Sequence, residues 1–390
     1  QLPQITDISI KKVIKTQPEK SEYDYFNESI LSSVVKLYGN NLPRQILREH
    51  YRCHPKIIEF CNKKYYDGQL IAYTSENLSD NPLVLCRTAA GNHMRKVTSG
   101  KEKGFYSQRE LDIIDRIIKS PDVGYEDNDI GVITPFRKQA NKASVLYKNI
   151  ESDTVHKYQG RERKEIILST VLSQNADDFY KKFVDDPHMI NVAVSRAIER
   201  FILVTDERAF CKNSTEINDL IRYIEYNTLD KNIINNPVVS VFDLLYSEYA
   251  EELANIQNRL NPNAKYKSEE ILRVVLEDVL SQEEFNRYDY EQQVLLLNLL
   301  NDKTLLTDEE RRYVYNGSSV DFVIFHKQDK KAMMIVEVDG FAFHENNPQQ
   351  LKRDKLKDEI LTKYNIPILR LSTNGSGEKE KLCSKLRNLN

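Results

Sequence analysis

No apolar run in this sequence approaches the roughly 18 residues that a membrane-spanning helix needs, and the mean hydropathy is −0.58. Cysteine is sparse, at Cys53, Cys61, Cys86, Cys211 and Cys383 only. None forms a CxxC pair, and the spacing fits neither a disulfide framework nor a zinc site. That pattern implies a reducing, cytoplasmic setting. Charge of one sign is not in excess either: 56 basic residues face 59 acidic ones, for a formal net charge of −3. Polyanion binding driven by net charge is thereby excluded, whereas binding through a local basic groove is not. No internal repeat and no low-complexity tract is present. The chain opens Gln1-Leu2-Pro3-Gln4, with no basic segment leading into an apolar one and no initiator Met, so it reads as a piece of a longer protein. What is there is a soluble globular composition, 40% hydrophobic and 29% charged. Its 390 residues exceed the roughly 100–200 of a single domain, so two or three domains are expected.

From Leu83 to Asp206, β-branched runs alternate with helical stretches. Leu83–Leu85, Ile130–Ile133, Glu165–Val171 and Phe201–Thr205 read as strands, while Arg109–Lys119, Pro135–Lys148 and Pro187–Ile198 read as helices. Strands alternating with helices predict a parallel sheet covered on both faces, with ligands beyond the carboxyl ends of its strands. The polar, Asn-rich stretch from Asn213 to Asn236 reads as helical, ending at the turn signal Asn235-Asn236-Pro237. A second unit follows. Val241–Leu260, Ser268–Leu280 and Glu291–Leu300 read as helices, Ser319–Phe325 and Ala332–Val338 as strands around a polar turn, Gln349–Tyr364 as a charged helix and Ile368–Leu371 as a last strand.

Three segments of the first unit concentrate arginine. They are Arg48-Glu49-His50-Tyr51-Arg52-Cys53-His54-Pro55, then Thr154-Val155-His156-Lys157-Tyr158-Gln159-Gly160-Arg161-Glu162, then Asn191-Val192-Ala193-Val194-Ser195-Arg196-Ala197. The fixed charge and planar fork of arginine match phosphate oxygens, and arginines at strand ends are what stabilising a transferring γ-phosphoryl group requires. A glycine among polar residues lets backbone N–H groups approach a phosphate. Singly, each of these is an ordinary surface charge or turn.

In this order the segments resemble the second RecA-like lobe of superfamily 1 helicases, in the branch of the nonsense-mediated-decay RNA helicase and its bacterial relatives. Tyr51–Pro55 is similar to that family's motif IV region, Ile130–Gln139 to its IVa segment, Thr154–Ser169 to motif V, Asn191–Thr205 to motif VI, and Gln1–Gln4 to the tail of motif III. The resemblance implies that Tyr51 stacks on adenine, that Arg52 and Arg196 reach the γ-phosphate, and that Gly160 and Glu162 lie near phosphate and ribose. It places Thr134, Pro135, Thr154 and His156 on the face along which single-stranded nucleic acid runs; His156 reads equally well as a satisfied polar residue at a strand end. One feature of the family is missing. No GxxxxGK[ST] occurs anywhere, nor does the acidic Mg²⁺-binding motif of the first lobe. This chain by itself is therefore expected to hydrolyse no ATP and to unwind nothing.

In the second unit, Asp321 precedes the pattern Glu337-Val338-Asp339-Gly340 and then His344. Alternation along a strand puts Glu337 and Asp339 on one face, and a hairpin brings Asp321 beside them. Carboxylates converging there suit a cation, and Mg²⁺ in such a site activates water for attack on a phosphodiester. The alternative is a solvated hairpin face. The pattern resembles the PD-(D/E)XK, restriction-endonuclease-like nucleases, in the very-short-patch-repair-like branch and related domains fused to bacterial helicases. The resemblance runs over Asp321, Glu337–Gly340, His344, Arg353-Asp354-Lys355-Leu356-Lys357 and Leu369-Arg370. It implies Asp321 and Glu337 as ligands of Mg²⁺ or Mn²⁺, Glu269 as a further acidic contributor, and His344, Lys357 and Arg353 as groups that polarise water or contact phosphate. The position commonly held by Lys is Asp339 here, which leaves open a binding-only domain.

The expected architecture is α/β: a RecA-like parallel-sheet lobe over residues 1–212, a helical connector over 213–264 and a restriction-endonuclease-like α/β domain over 265–390. The expected function is that of the C-terminal part of an ATP-dependent helicase–nuclease in bacterial defence or repair. Its partners are nucleic acid, with DNA favoured and RNA possible, and a first RecA-like lobe, and no membrane is involved. The alternative is a helicase fragment carrying a catalytically inactive nucleic-acid-binding module.

Overall fold

The structure, a computed structural model, describes residues 21–24, 28–75, 81–91, 93–98, 103–120, 125–211, 216–235, 238–245, 253–264, 266–340 and 348–389. Two short strands, β1 (Glu49–His50) and β2 (Ile71–Ala72), pair in parallel on either side of the helix Pro55–Tyr65 in sequence. β3 (Leu83–Arg87) enters the main sheet, and β4 (Met94–Val97) with β5 (Gly104–Ser107) makes an antiparallel ribbon. β6 (Ile130–Thr134), β7 (Glu151–Thr154), β8 (Arg163–Ser169), β9 (Ala197–Thr205) and β10 (Ile233–Asn235) complete the main sheet. Its spatial order is β10-β3-β9-β8-β6-β7, and every neighbouring pair is parallel.

Both faces of this sheet are covered, which is why its central strands read as unbroken apolar runs. Leu83, Leu85, Ile133, Ile166, Leu168, Phe201 and Leu203 pack with the helices Pro55–Tyr65, Pro187–Val194 and Glu216–Asn227. Val84, Cys86, Val132, Ile167, Ile202 and Val204 face the helices Gln108–Ile118 and Arg137–Leu146. The helices start where the sequence supplies caps: the Ser107 hydroxyl accepts from the Glu110 amide, and Asp186 caps Pro187–Val194 with proline in its first turn. The α/β class with a RecA-like parallel sheet is thus as expected.

The second unit runs helix Lys267–Leu280, β11 (Tyr288–Leu295), helix Asp308–Tyr315, β12 (Ser319–His326), β13 (Ala332–Asp339), helix Pro348–Lys363, β14 (Ile368–Ser372) and helix Glu378–Arg387. The sheet order is β11-β12-β13-β14, antiparallel except for the parallel pair β13–β14. Phe322, Ile324, Met334 and Val336 bury against the helices Lys267–Leu280 and Glu378–Arg387, and Val323 and Ile335 pack with Ile360 and Leu361 of the other flanking helix.

Two expectations need correction. The stretch Glu291–Leu300, expected as a helix, is a strand as far as Leu295, followed by one helical turn. Pairing with β12, Gln292 opposite Phe322 and Val294 opposite Val320, satisfies its backbone and overrides local preference. The segment 213–264, expected as a helical connector, is only partly so. Glu216–Asn227 is a helix, but Ile233–Asn235 adds an edge strand to the main sheet. Val241 and Phe242 already belong to the core of the second unit. Asn232, just before that strand, anchors its start by donating from its side chain to Asn81 and Thr228. Among the described residues, no helix is long and apolar enough to cross a membrane.

Candidate functional site

The arginine segments meet at the amino ends of β8 and β9, not at the carboxyl ends. Arg52 Nε lies 2.5 Å from Glu162 Oε2, and both side chains are about two-fifths exposed. The Arg163 amide donates to the Arg196 carbonyl at 3.2 Å, which holds the two strand starts together. Arg196 donates from Nε to the Val192 carbonyl (3.2 Å) and from its terminal nitrogens to Ser195 Oγ (3.1 Å) and the Arg161 carbonyl (3.4 Å). Burial and the neighbouring Arg52 both work against its charge and lower its pKa. An anion beside Arg196 would relieve that repulsion. Gly160 has φ +88°, and the space where its Cβ would be is open, so backbone can approach a ligand there.

Tyr51 is 66% exposed. Its ring stacks on Tyr73, with centroids 4.9 Å apart and planes 16° from parallel, and its hydroxyl donates to Glu49 at 2.5 Å. That bond to Glu49 is the main reason its pKa is pushed up to about 12. The Cys53 amide donates to His50 Nε2 at 3.0 Å. Burial, then Arg52 and Arg196, lower the pKa of His50, so it stands there as a neutral acceptor. Sequence reasoning gave no role to Tyr73 or His50. Tyr73 lies 22 positions from the residue it stacks on, and only the β1–β2 pairing brings the two together.

The residues expected along a nucleic-acid face do lie at the carboxyl ends of β6 and β7, but most are buried. Thr134 is fully buried, Pro135 is buried, and Thr154 is 6% exposed with its hydroxyl accepting from Arg137 at 2.9 Å. The outward group at this edge is Arg137, which also pairs with Asp153; sequence reasoning passed over it. The His156 ring lies nearly parallel to Phe183, 6.3 Å away, and its buried Nε2 has no hydrogen-bond partner among the described residues. Its pKa is lowered by burial, so the reading of His156 as a satisfied polar residue does not hold. At the carboxyl end of β8, the buried Glu110 of the helix Gln108–Ile118 accepts from Ser169 Oγ (2.6 Å) and with both oxygens from the Val171 amide (3.0 and 2.9 Å). Val171 has φ +72°, an outlier for a β-branched residue that only a strong local contact sustains.

In the second unit, Asp321 stands beside Glu337 across the β12–β13 ladder, one step from the Phe322–Val336 pair. Its Oδ2 accepts from the Val338 amide at 2.9 Å. Glu337 is 5% exposed, and Lys357 Nζ donates to both its oxygens, at 2.6 and 2.9 Å, and to the Ser319 carbonyl at 2.9 Å. Burial raises the pKa of Glu337, against the pull of Lys357 and Arg370. Asp339 does not join the other two carboxylates. It is held by Arg370 at 2.9 Å, whose guanidinium also reaches Glu337 (3.3 Å) and Asp358 (2.8 Å). Burial works against the Arg370 charge, but Asp358, Asp339 and Glu337 more than offset it and raise its pKa. The expected three-carboxylate cluster is therefore not formed: among the described residues no three ligating side chains gather for a metal. Lys357 and Arg370 supply the positive charge that a cation would bring.

Glu269 accepts from Gln293 Nε2 at 2.7 Å, and Gln293 reaches Ser319. Glu269 thus borders the site through Gln293. Arg353 is on the exposed side of its helix. His344 lies outside the described residues.

Residues 26–208 match the family described as AAA domain, and residues 265–389 the family described as Protein of unknown function (DUF2726). Over 210 residues the chain is 28% identical to Regulator of nonsense transcripts 1 of Dictyostelium discoideum, covering 48% of this chain and 15% of that protein. It is 26% identical over 218 residues to DNA polymerase alpha-associated DNA helicase A of Saccharomyces cerevisiae, covering 49% of this chain and 32% of that one. The chain thus spans less than a third of the length of these relatives. A solved C-terminal domain of a possible DNA helicase from a Lactobacillus superposes with a TM-score of 0.27 at 13% identity, covering 48% of this chain and 98% of that one. Over residues 26–208 the first unit is thus helicase-like in sequence.

Proposed function

We propose that this chain is the C-terminal part of a helicase–nuclease. The motor reading is carried by one observation: three distant segments meet at the amino ends of β8 and β9, where Arg52 pairs with Glu162 and Arg196 reaches the Arg161 carbonyl, with Tyr51 and Gly160 next to them in the chain. That edge presents two arginines, an open glycine and an exposed stacked tyrosine, a set suited to phosphates and a flat base. ATP would lie between this edge and a first RecA-like lobe carrying the absent GxxxxGK[ST], so no turnover is expected from these 390 residues alone. Nucleic acid, with DNA favoured, would cross the carboxyl-end edge near Arg137 and His156.

For the second unit we propose metal-dependent phosphodiester cleavage, with Asp321 and Glu337 as the ligands of Mg²⁺ or Mn²⁺, in defence or repair. The helix–strand–helix–two strands–helix–strand order, with the two carboxylates side by side, supports it. A second reading, a binding-only module, is favoured by the hold of Lys357 and Arg370 on Glu337, because the residues as placed do not complete a metal site. The deciding experiment is cleavage of labelled single- and double-stranded DNA and RNA with Mg²⁺, Mn²⁺ or EDTA, by wild type, Asp321→Ala and Glu337→Ala. Cutting that needs metal and both carboxylates is the expected outcome. No cutting on any substrate, with binding retained in both variants, would leave the binding module.

A further inference from the structure

The two units touch beside the carboxyl-end edge of the main sheet, and a series of contacts leads from that edge to the carboxylates of the second unit. Arg137 holds Thr154 at the end of β7 (2.9 Å). On the next positions of the same helix, Lys138 lies against the start of β5, where a Cβ on Gly104 would meet its Cβ at 3.2 Å. One turn on, Lys142 Nζ sits 4.0 Å over the Tyr106 ring. The Tyr106 hydroxyl accepts from Asn374 Nδ2 at 2.7 Å, across the boundary between the units. Asn374 is bonded to Ser372, and Ser372 is the register partner of Asp339 at the end of β13. The helix Arg137–Leu146 carries three cations and no acid, and Lys96 and Lys103 are exposed on the ribbon beside it. The acids along the way are engaged locally, Asp153 with Arg137 and Asp112 with Ser376 and Gln108.

We infer that this helix is a track along which a single strand of nucleic acid passes from the carboxyl-end edge of the helicase-like region to the Asp321–Glu337 face of the second unit. The inference rests on the proposal that a strand crosses that edge. Lysines spaced along a helix hold phosphates without reading sequence, as a moving strand requires. The docking of the second unit through Asn374 and Ser376 sets its carboxylate edge at the far end of the track.

The test is the salt dependence of binding, measured in EDTA so that no cutting intervenes, with the 390-residue chain and a fluorescent single-stranded DNA of about 20 nucleotides. Each lost phosphate contact flattens the plot of log affinity against log salt by about 0.7 for a single strand, so Lys138→Gln/Lys142→Gln should lower the slope by about 1.4. Lys119→Gln/Lys231→Gln, with the same change in net charge at the end of the helix Gln108–Ile118 and just before β10, away from the carboxyl-end edge, should leave it unchanged, and Lys138→Arg/Lys142→Arg should restore it. If the glutamine pair does not fold, Lys138→Gln alone should lower the slope by about half as much. An unchanged slope in the glutamine variant, or an equal fall in the Lys119/Lys231 control, overturns the track while leaving the helicase–nuclease proposal standing. A wild type with no salt-dependent binding would remove both. Absence of cutting with Mg²⁺ would touch only the nuclease proposal.

Discussion

Glu110 shows what a single buried residue does to the pH behaviour of this protein. Its carboxyl group is 1% exposed, and burial pushes its pKa from 4.5 up to about 8, against the opposing pull of its bonds to Ser169 and Val171. The folded state therefore holds this proton more tightly than the unfolded chain does. The resulting stability is complete below about pH 4.5 and is lost as the pH rises through about 8. Urea unfolding across that window should show wild type losing stability relative to Glu110→Gln, which has no proton to lose. Parallel profiles for the two proteins would mean that Glu110 does not titrate there. At this scale the sequence named Asp321, Glu337 and Arg196 by their place in motifs. It could not name Glu110, which sits inside an ordinary amphipathic helix and acquires its function only by meeting Ser169 and Val171, about sixty residues along.

Between elements, the seating of the return segment 155–162 against the sheet depends on Gly131. A Cβ there would collide with the Tyr158 hydroxyl and come within 2.9 Å of Ile166 Cδ1. Tyr158 is fully buried and donates to Glu151 at 3.2 Å, which folds the segment back from the end of β7 to the start of β8. Gly131→Ala should therefore cost about 1–3 kcal/mol, seen as a lower urea midpoint, and Tyr158→Phe in the same chain should recover part of it. A Gly131→Ala protein as stable as wild type would show that the segment sits elsewhere. The strands with continuous apolar runs and the helices with three-to-four-residue spacing were legible in the sequence. The short β7 and β10 and the polar β11 were not, since Glu151–Thr154 and Ile233–Asn235 are strands only because a neighbouring edge offers them backbone partners.

The whole molecule is held together across its two units by buried polar contacts. Arg109 and Asp243 are both about 2% exposed at their side chains, joined at 2.8 and 3.1 Å, and Arg109 also donates to the Val238 carbonyl. Asp243 in turn accepts from the Ser240 amide, and Ser240 Oγ donates to Glu378 at the start of the last helix (2.7 Å). Removing one member leaves the other charged and buried, so Asp243→Ala should cost about 3–5 kcal/mol, and Arg109→Met/Asp243→Leu should cost less than that single change. Calorimetry should also show Asp243→Ala unfolding in two steps, one per unit. Breaking the half-exposed Arg52–Glu162 pair should cost at most about 1 kcal/mol; a larger loss there would mean that the arginine cluster is structural. The sequence by itself determined the α/β class, the order of the motifs and the strand faces on which Glu337 and Asp339 lie, because hydrophobic period and chain order are local properties. Only the tertiary structure decided that Lys357 and Arg370 neutralise those carboxylates, that Thr134 and Thr154 are buried behind Arg137, and that the two units meet beside the carboxyl-end edge. Those outcomes depend on which distant side chains packing brings within hydrogen-bond reach, and sequence spacing does not encode that.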